Sequence, residues 1–304
     1  MTKKTDAPRI IKAASFYGEL EEASCPVCPV PPGPELVFRR PDGVGIWRCP
    51  GCDIMYASPR FTEKHLLRIY ESEDFSDLSF YDGWSYDNWK AGGTRSYNVT
   101  VLKTRLLKRF LSEGDRVLDV GCATGLFCLE AAKSGFAAEG IDPSKLLIDL
   151  GRRALKIDLH HGLLEEFNPG HKFKGLVAWD VLEHVYDPLA LARRCAELLE
   201  PGGHLFLQVP NHEGISNRFK TLMNRAGLKR SGFKHFGFPQ HIYFFNRKSL
   251  SALLVRAGFT PLLLESWPSQ LKDGRAGPVA RLTTAFLKKN CLSDYLTCAA
   301  RRQD

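Results

Sequence analysis

Long hydrophobic runs are missing from this sequence of 304 residues. No stretch of about 18 apolar residues occurs, so we expect no transmembrane helix. The first six residues lead into no apolar segment, and a secretory signal is therefore not predicted. Internal repeats and long low-complexity tracts are absent as well. These absences argue against a membrane-spanning or repeat protein, and we expect a cytoplasmic chain whose thiols stay reduced.

A disulfide framework is also disfavoured, because the chain has nine cysteines, an odd number. Hydrophobic residues make up 44% and charged residues 25% of the sequence, which excludes a largely disordered chain and a small disulfide scaffold. Most of the scattered cysteines are expected to be small buried apolar side chains. These five are Cys122, Cys128, Cys195, Cys291 and Cys298.

The other four cysteines form two CxxC pairs. Cys25 and Cys28 are followed, after twenty residues, by Cys49 and Cys52. This spacing is typical of four thiolates around one zinc ion. The alternatives are a redox dithiol pair and four unligated cysteines. No separate βαβ unit surrounds the pairs, which disfavours a redox site. We therefore predict a small N-terminal zinc ribbon with a structural ion, closed to catalysis because protein ligands fill every coordination position.

Changes of pattern along the chain predict four regions. Residues 1–24 have the character of a flexible tail, and residues 25–60 form the cysteine module, which is too small to bury a core of its own. Residues 61–112 combine helical patterns with an acidic, aromatic stretch and are expected to cover a cofactor site. Residues 113–304 alternate short apolar strands with helices, which predicts an α/β domain with a mostly parallel sheet.

Strands and helices can be placed approximately in the last region. Strands are predicted near residues 116–120, 137–141, 175–179, 204–209, 260–267 and 294–300. Helices are predicted near residues 125–134, 144–156, 188–199, 248–257 and 281–289. The alternation implies βαβ crossovers, so helices should lie on both faces of the sheet.

The most informative segment is a buried strand that runs into a turn of small residues and then a helix, at residues 117–125. Gly121 and Gly125 allow backbone amides to approach a ligand, and the helix N-terminus adds partial positive charge. A second strand ends at Asp142, whose carboxylate can accept hydrogen bonds from both hydroxyls of a ribose. The glycine spacing departs from GxGxxG, so a dinucleotide is not indicated.

This segment resembles motif I of the class I S-adenosylmethionine-dependent methyltransferases. Residues 176–188 resemble the fourth strand of that family and the loop beyond it, and residues 199–207 resemble the turn into its fifth strand. Residues 239–259 resemble the branch that includes the ubiquinone-pathway O-methyltransferases. The resemblance covers about residues 95–304 and implies a Rossmann-like, doubly wound, mostly parallel sheet of seven strands. Ala123 departs from the pattern, because the family most often has glycine there.

The resemblance implies binding of S-adenosylmethionine and assigns residues to it. The motif I residues assigned to the cofactor, mostly at its methionine end, are Asp119, Gly121, Cys122, Ala123 and Gly125. Those assigned to the ribose are Asp142 and Pro143, and those bordering the adenine are Leu163 and Leu164. Those closing the site from the fourth strand are Asp180 and Val181.

Candidate catalytic residues follow from the chemistry of methyl transfer, in which the protein aligns the nucleophile and removes its proton. The candidates are His241, Glu183 and His184, since imidazole has a suitable unperturbed pKa. A helical turn would place Asp180, Glu183 and His184 on one face. One alternative is that Glu183 and His184 only hydrogen-bond the loop backbone. Another is that they and Asp180 hold a second divalent ion, which polarises a catechol-like oxygen.

The acceptor is indicated only by charge. Lys and Arg number 42 against 34 Asp and Glu, so the net charge is +8, which favours an anionic partner. An insertion at about residues 211–241 has one acid, Glu213, and six basic residues: Arg218, Lys220, Arg225, Lys229, Arg230 and Lys234. We predict a lid over a small anionic metabolite that is methylated on oxygen or carbon. A solvated basic helix face is the alternative.

Two further functions compete with this prediction. An RNA methyltransferase would use the zinc module and the basic surface to bind nucleic acid, although no aromatic RNA-stacking motif is present. A zinc-bearing binding protein with a degenerate methyltransferase fold is opposed by the intact Gly121, Gly125 and Asp142. No sequence feature indicates an oligomeric state.

Overall fold

The computed structural model describes residues 19–29, 33–40, 43–71, 95–226, 228, 236–237, 240–268 and 278–304. The strands in chain order are β1 (Leu20–Glu21), β2 (Glu35–Arg39), β3 (Gly45–Arg48), β4 (Met55–Ser58), β5 (Arg60–Phe61), β6 (Arg116–Val120), β7 (Ala137–Asp142), β8 (Asp158–His161), β9 (Phe173–Trp179), β10 (Leu199–Pro210), β11 (Tyr243–Phe244), β12 (Phe259–Trp267) and β13 (Tyr295–Arg302). The helices are α1 (Glu63–Glu71), α2 (Arg95–Leu107), α3 (Leu126–Lys133), α4 (Lys145–Ala154), α5 (Pro188–Leu198), α6 (Ile215–Arg225), α7 (Arg247–Arg256) and α8 (Pro278–Lys289).

The main sheet has seven strands in the order β12-β13-β10-β9-β6-β7-β8. The strands β10, β9, β6, β7 and β8 are parallel to one another, and β13 runs antiparallel between β10 and β12. The predicted seven-stranded, mostly parallel α/β fold is therefore confirmed. The sequence did not indicate β8, because this short edge strand has one buried apolar residue, Leu159, among polar ones.

Helices cover both faces of the main sheet. Alternate residues of a strand point to opposite faces, so the central strands contribute to two separate cores. Leu118 and Leu176 pack in one cluster with the apolar sides of α5 and α7. Val117 and Val177 pack in a second cluster with α2 and α3. Strands buried on both faces explain the short continuous apolar runs that were visible in the sequence.

Local side-chain caps define where several helices begin. The Ser144 hydroxyl accepts a hydrogen bond from the Leu147 amide at the start of α4. Asp187 accepts from the Ala190 amide at 2.8 Å, immediately before the proline that opens α5. Asn246 caps α7 in the same way. Such caps satisfy amides that have no partner inside the helix, and each stabilises a helix by about 1 kcal/mol.

The cysteine module shares its sheet with the main domain. A four-stranded sheet has the order β11-β4-β3-β2, and β11 comes from the main domain. Tyr243 of β11 lies opposite Tyr56 of β4 in the antiparallel register. Cys49 and Cys52 belong to the same buried cluster as Leu207 of the central sheet. The module, which is too small to bury its own core, is thus buried against the larger domain.

A buried arginine strengthens this junction. Arg60, 9% exposed, donates from Nη1 to the Tyr243 hydroxyl at 2.7 Å and lies 3.1 Å from a carboxylate oxygen of Glu21. Its guanidinium also lies 3.8 Å from the centre of the Tyr186 ring. The Tyr186 hydroxyl donates to the carbonyl of Phe61. A buried charge is tolerated where it is paired and hydrogen-bonded, as it is here.

Across the described ranges, the helices are all too short or too polar to cross a lipid bilayer.

Candidate active site

Three parallel strands in the middle of the main sheet end at one crevice. The strand β6 ends at Val120, β7 ends at Asp142, and β9 is followed directly by Asp180. The carboxyl ends of parallel strands meet at the same edge of a sheet, and ligands of open α/β sheets bind there. The topology therefore brings the predicted cofactor residues of three separate segments together.

The turn after β6 has a left-handed backbone at three residues. Gly121, Ala123 and Gly125 have φ values of 73°, 50° and 81°. A Cβ on Gly121 would lie 2.6 Å from Cγ2 of Val181, so only glycine fits this close approach. Ala123 accepts a conformation that costs an L-residue about 1–2 kcal/mol, at the position where the family most often has glycine.

Asp142 holds this turn in place. Its Oδ2 accepts from the Ala123 amide at 2.9 Å, and its Oδ1 accepts from the Ser144 amide at 2.8 Å. Burial raises the pKa of Asp142, and the two backbone hydrogen bonds oppose this rise. Each carboxylate oxygen has two acceptor positions, so one on each oxygen stays available for a ribose hydroxyl.

A buried lysine that was not predicted from the sequence lies beside Asp180, the residue that follows β9. Lys103 of α2 is 5% exposed, and its Nζ lies 3.9 Å from Oδ2 of Asp180 and 4.8 Å from the centre of the Trp179 ring. Burial raises the pKa of Asp119 to about 8, and Lys103 opposes this rise. The available signal was a cation on the apolar face of α2, one turn before the buried Leu107.

The predicted catalytic residues meet beside the crevice. Candidate ligand atoms of Glu183, His184 and His241 all lie within 4.8 Å of one another. The two imidazole centroids are 4.7 Å apart, with ring planes at 88°. Asp180 is not in this group. Its backbone has a φ of 59°, and the residues after it form a turn closed by the His184 amide on the Val181 carbonyl, so the predicted helical face does not form.

Burial controls the protonation of this trio. His184 Nδ1 donates to the Gln240 carbonyl at 3.0 Å, which leaves Nε2 facing Glu183 at 3.9 Å. Burial lowers the pKa of His184 to about 4 and that of His241 well below its usual value. Burial also raises the pKa of Glu183, whose carboxylate oxygens accept no hydrogen bond from any described residue. Both imidazoles are therefore neutral at neutral pH.

The position of His241 depends on two distant segments. The Ile242 amide donates to the Glu183 carbonyl at 2.9 Å, and the Ala57 amide donates to the Ile242 carbonyl at 3.1 Å. The His241 amide also donates to the carbonyl of Gly237. The chain around His241 is thus held between the Glu183 turn and β4 of the cysteine module.

The four module cysteines converge on one point. Their Sγ atoms lie within 4.8 Å of one another, at 3.5 Å for Cys25 and Cys52 and 3.7 Å for Cys28 and Cys49. The amides of Val27 and Cys28 donate to the Cys25 sulfur. The Cys52 thiol, with these amides, lowers the pKa of Cys25 to about 5. The cluster is what four thiolates around a single ion require.

Comparisons with known proteins agree with this architecture. The family described as Methyltransferase domain matches residues 94–264, more than half of the chain. The chain belongs to this methyltransferase family. A ubiquinone biosynthesis O-methyltransferase from Aromatoleum aromaticum is 37% identical over 116 residues, covering 36% of this chain and 50% of the relative. One from Xanthomonas campestris is 39% identical over 134 residues, covering 40% and 56%. The chain thus spans about half the length of these curated relatives.

Solved methyltransferase structures share the fold. Magnesium protoporphyrin IX methyltransferase from Synechocystis PCC 6803 superposes with a TM-score of 0.53 at 14% identity, over 80% of this chain and 100% of that chain. Phosphoethanolamine N-methyltransferase 2 from Haemonchus contortus superposes with a TM-score of 0.53 at 18% identity, over 82% and 62%. At such identities the likeness concerns the fold alone. The predicted class I methyltransferase fold is confirmed.

The residues predicted to line the methyltransferase crevice differ in how exposed their side chains are. The Cys122 side chain is buried beneath the turn, where a Cβ on Gly140 would lie 2.7 Å from its sulfur. Leu164 is buried in the core, whereas Leu163 is 39% exposed. The carbonyl of Pro143 lies 3.2 Å from the His161 ring. The Cys122 and Leu164 side chains therefore point into the core, whereas the Leu163 side chain is open to this edge.

The basic insertion of the methyltransferase is described in part. It begins after Asn211, whose side-chain amide donates to the carbonyls of Cys291 and Ser293. Arg218 of α6 is exposed, and Lys220 is half-buried beside Asn217. The basic residues outside the described part of the chain are Lys229, Arg230 and Lys234. The side chain of Arg225 is also outside it.

Proposed function

We propose that this protein transfers the methyl group of S-adenosylmethionine to an oxygen or carbon of a small anionic metabolite. The observation that carries the proposal is the crevice, where a left-handed turn and a buried Asp142 meet at the carboxyl ends of β6 and β7. The curated relatives are named O-methyltransferases, which favours oxygen as the nucleophile.

Residues of the crevice fit the parts of the cofactor. Asp142 retains acceptor positions for the ribose, and we assign the backbone of the turn at Gly121 and Ala123 to the amino-acid portion. Lys103 is a buried cation beside Asp180, and we assign it to the methionine carboxylate. When bound, the cofactor supplies an electrophilic methyl group on a sulfonium. The chain itself orients the nucleophile and keeps water away.

The trio of Glu183, His184 and His241 activates the acceptor oxygen in this proposal. A neutral imidazole there can accept the proton of an acceptor hydroxyl. The geometry also suits a divalent cation, because His184 donates Nδ1–H to a backbone carbonyl and presents Nε2 to Glu183, as metal-binding histidines do. With its buried carboxylate and two imidazoles, the trio would bind such an ion in place of the predicted Asp180 set. A bound ion would lower the pKa of the acceptor hydroxyl.

Binding of Mn²⁺ separates the two roles of the trio. Electron paramagnetic resonance should show stoichiometric Mn²⁺ bound to the wild-type protein and none to His241→Ala if the trio is a metal site. Full methyl transfer by protein that binds no divalent cation outside the cysteine module would exclude the metal role. The trio would then act as a general base.

The four module cysteines fit a structural zinc ion. A tetrahedral site with Zn–S bonds of about 2.3 Å has sulfur atoms roughly 3.8 Å apart. The measured pairs, at 3.5 and 3.7 Å, approach this spacing. Amide donors to Cys25 stabilise the thiolate that a zinc knuckle needs. This ion would shape the module and take no part in the chemistry.

The proposal is tested first by binding of S-adenosylhomocysteine. Asp142→Ala should weaken binding by about 2–4 kcal/mol, because two hydrogen bonds from ribose to a charged group are lost. Asp149→Ala, at an exposed acid on α4, is the matched control. Since Asp142 also holds the turn, the thermal unfolding of both variants is measured alongside. Equal affinity in the three proteins would refute the assignment.

The acceptor is then sought among metabolites. Wild-type protein and radiolabelled cofactor are incubated with fractions of a metabolite pool, and Asp142→Ala serves as the blank. Label should appear in an anionic fraction and depend on Asp142. Label in RNA instead would support the nucleic-acid alternative. Cofactor binding without transfer to any fraction would favour a binding protein.

A further inference from the structure

A cleft of about 310 Å³ lies between the small sheet and helix α6. Val37 and Met55 of the small sheet contribute apolar surface, and Leu222 and Phe236 face them. The cleft is therefore built jointly by the cysteine module and the basic insertion of the main domain. Its volume is at the lower end of the range for small-molecule sites.

Two arginines line the cleft from its opposite walls. Arg48 lies on β3, and Arg218 lies on α6. The Arg48 Nε atom is buried and has no hydrogen-bond partner among the described residues, while Nη2 meets only the Met55 sulfur at 3.9 Å. A buried donor on a charged group is costly until an acceptor reaches it. An anion between the two guanidiniums would supply that acceptor.

One carboxylate also borders the cleft. Glu213 accepts a hydrogen bond from the Asn246 side-chain amide at 3.2 Å, which directs part of its charge towards α7. Two guanidiniums against one carboxylate leave the cleft positive. His212, which is 6% exposed, completes the lining.

The cleft adjoins the catalytic trio. His212 follows the carboxyl end of β10, and its amide donates to the Phe245 carbonyl. Phe236 stacks on the His212 ring at 4.8 Å, and the next residue, Gly237, accepts the His241 amide. One end of the cleft is thus close to the ring that faces Glu183.

We infer that this cleft binds the acceptor through an anionic group held by Arg48 and Arg218, with the apolar body of the acceptor against Met55 and Phe236. The anionic group is a carboxylate or a phosphate, and the body is aromatic or aliphatic. That the ligand is the methyl acceptor rests on the proposed function, whereas the anion site can be tested separately. The cysteine module then selects the substrate, in addition to holding its own ion.

Calorimetry with model anions tests the site on the full-length protein, with and without S-adenosylhomocysteine. The probes are 1-naphthyl phosphate and 1-naphthoate, with neutral 1-naphthol as the uncharged match. Arg48→Gln and Arg218→Gln should each weaken binding of the preferred anion about tenfold or more, since each removes a charge-assisted hydrogen bond. Arg39→Gln on β2 and Lys220→Gln on α6 remove nearby cations that do not line the cleft, and affinity should not change.

The outcomes distinguish the site from the function. Preference for the phosphate over the carboxylate, or the reverse, identifies the anionic group. The proposed anion site would be overturned by any of three results. These are failure of both anions to bind, equal binding of 1-naphthol, and unchanged affinity in Arg48→Gln. A wild-type protein that binds the anion but does not bind S-adenosylhomocysteine would instead contradict the proposed function. Circular dichroism and zinc content of each variant check that the small sheet has folded.

Discussion

The cofactor side and the acceptor side of this methyltransferase are built differently. The proposed cofactor crevice takes its turn and the acid assigned to the ribose from one continuous stretch, residues 119–142. The proposed acceptor side combines residues that lie far apart in the chain: Arg48, Glu183, Arg218 and His241. A βαβ unit brings its strand ends together by itself, whereas the acceptor side needs the cysteine module, the β9 loop and β11 in contact. We therefore expect variants to affect either cofactor affinity or transfer.

The largest expected effect comes from the cysteine module. Cys49→Ser should lose the zinc ion and abolish methyl transfer, because β4 holds the chain beside His241 and metal binding is coupled to folding of the module. Affinity for S-adenosylhomocysteine should stay close to the wild-type value. Elemental analysis, labelled transfer and calorimetry measure the three quantities.

Cys195→Ser is the control, since this buried thiol lies in α5 outside the cluster and its loss should leave the zinc content unchanged. Equal loss of cofactor affinity and transfer in Cys49→Ser would contradict the separation of the two sides, because the cofactor side would then also depend on folding of the module.

His241→Ala should lower turnover by about 100-fold, the scale typical of a positioned acid–base group. Cofactor affinity should change little, since His241 lies beside the Glu183 turn and outside residues 119–142. The control is His171→Ala, which removes an imidazole paired with Glu139 near the opposite end of β9. Near-normal turnover in His241→Ala would move the acid–base role to Glu183 and His184.

Lys103→Met should show the opposite pattern. We expect affinity for S-adenosylhomocysteine to fall about tenfold or more, because a charge-assisted contact to the methionine carboxylate is lost. Lys103→Arg should recover part of it. Arg105→Met removes an exposed cation of the same helix and should leave affinity unchanged. Calorimetry that finds Lys103→Met equal to the wild type would show that the lysine only balances Asp119 and Asp180.

The smallest expected effect is on stability and concerns only the turn on the cofactor side. Ala123→Gly should raise the free energy of unfolding by up to about 1 kcal/mol, since glycine adopts a φ of 50° without the steric cost that alanine bears. The greater freedom of glycine in the unfolded chain offsets part of the gain. Denaturant unfolding measures the change, and a less stable variant would mean that the alanine methyl contributes packing that outweighs the strain.

Much of the fold could be predicted from the sequence. Apolar runs between helical patterns located the strands around Leu118, Leu176 and Leu205, because strands buried on both faces need continuous apolar side chains. The strand β8 escaped prediction because an edge strand with Leu159 as its only buried apolar residue has no such pattern. Lys103 was missed because a lysine in a helix is usually solvated, and only the packed sheet shows that this one is buried.

What the sequence determined by itself was local chemistry: two CxxC pairs twenty residues apart, a small-residue turn after an apolar strand, and Asp142 at the next strand end. Short-range backbone geometry dictates these features, so residue type and spacing are sufficient to identify them. Only the tertiary structure decided that His241 joins Glu183 and His184, that Asp180 faces Lys103, and that Arg48 shares a cleft with Arg218. Contacts between distant segments depend on how sheets and helices pack, and no periodicity within one segment carries that information.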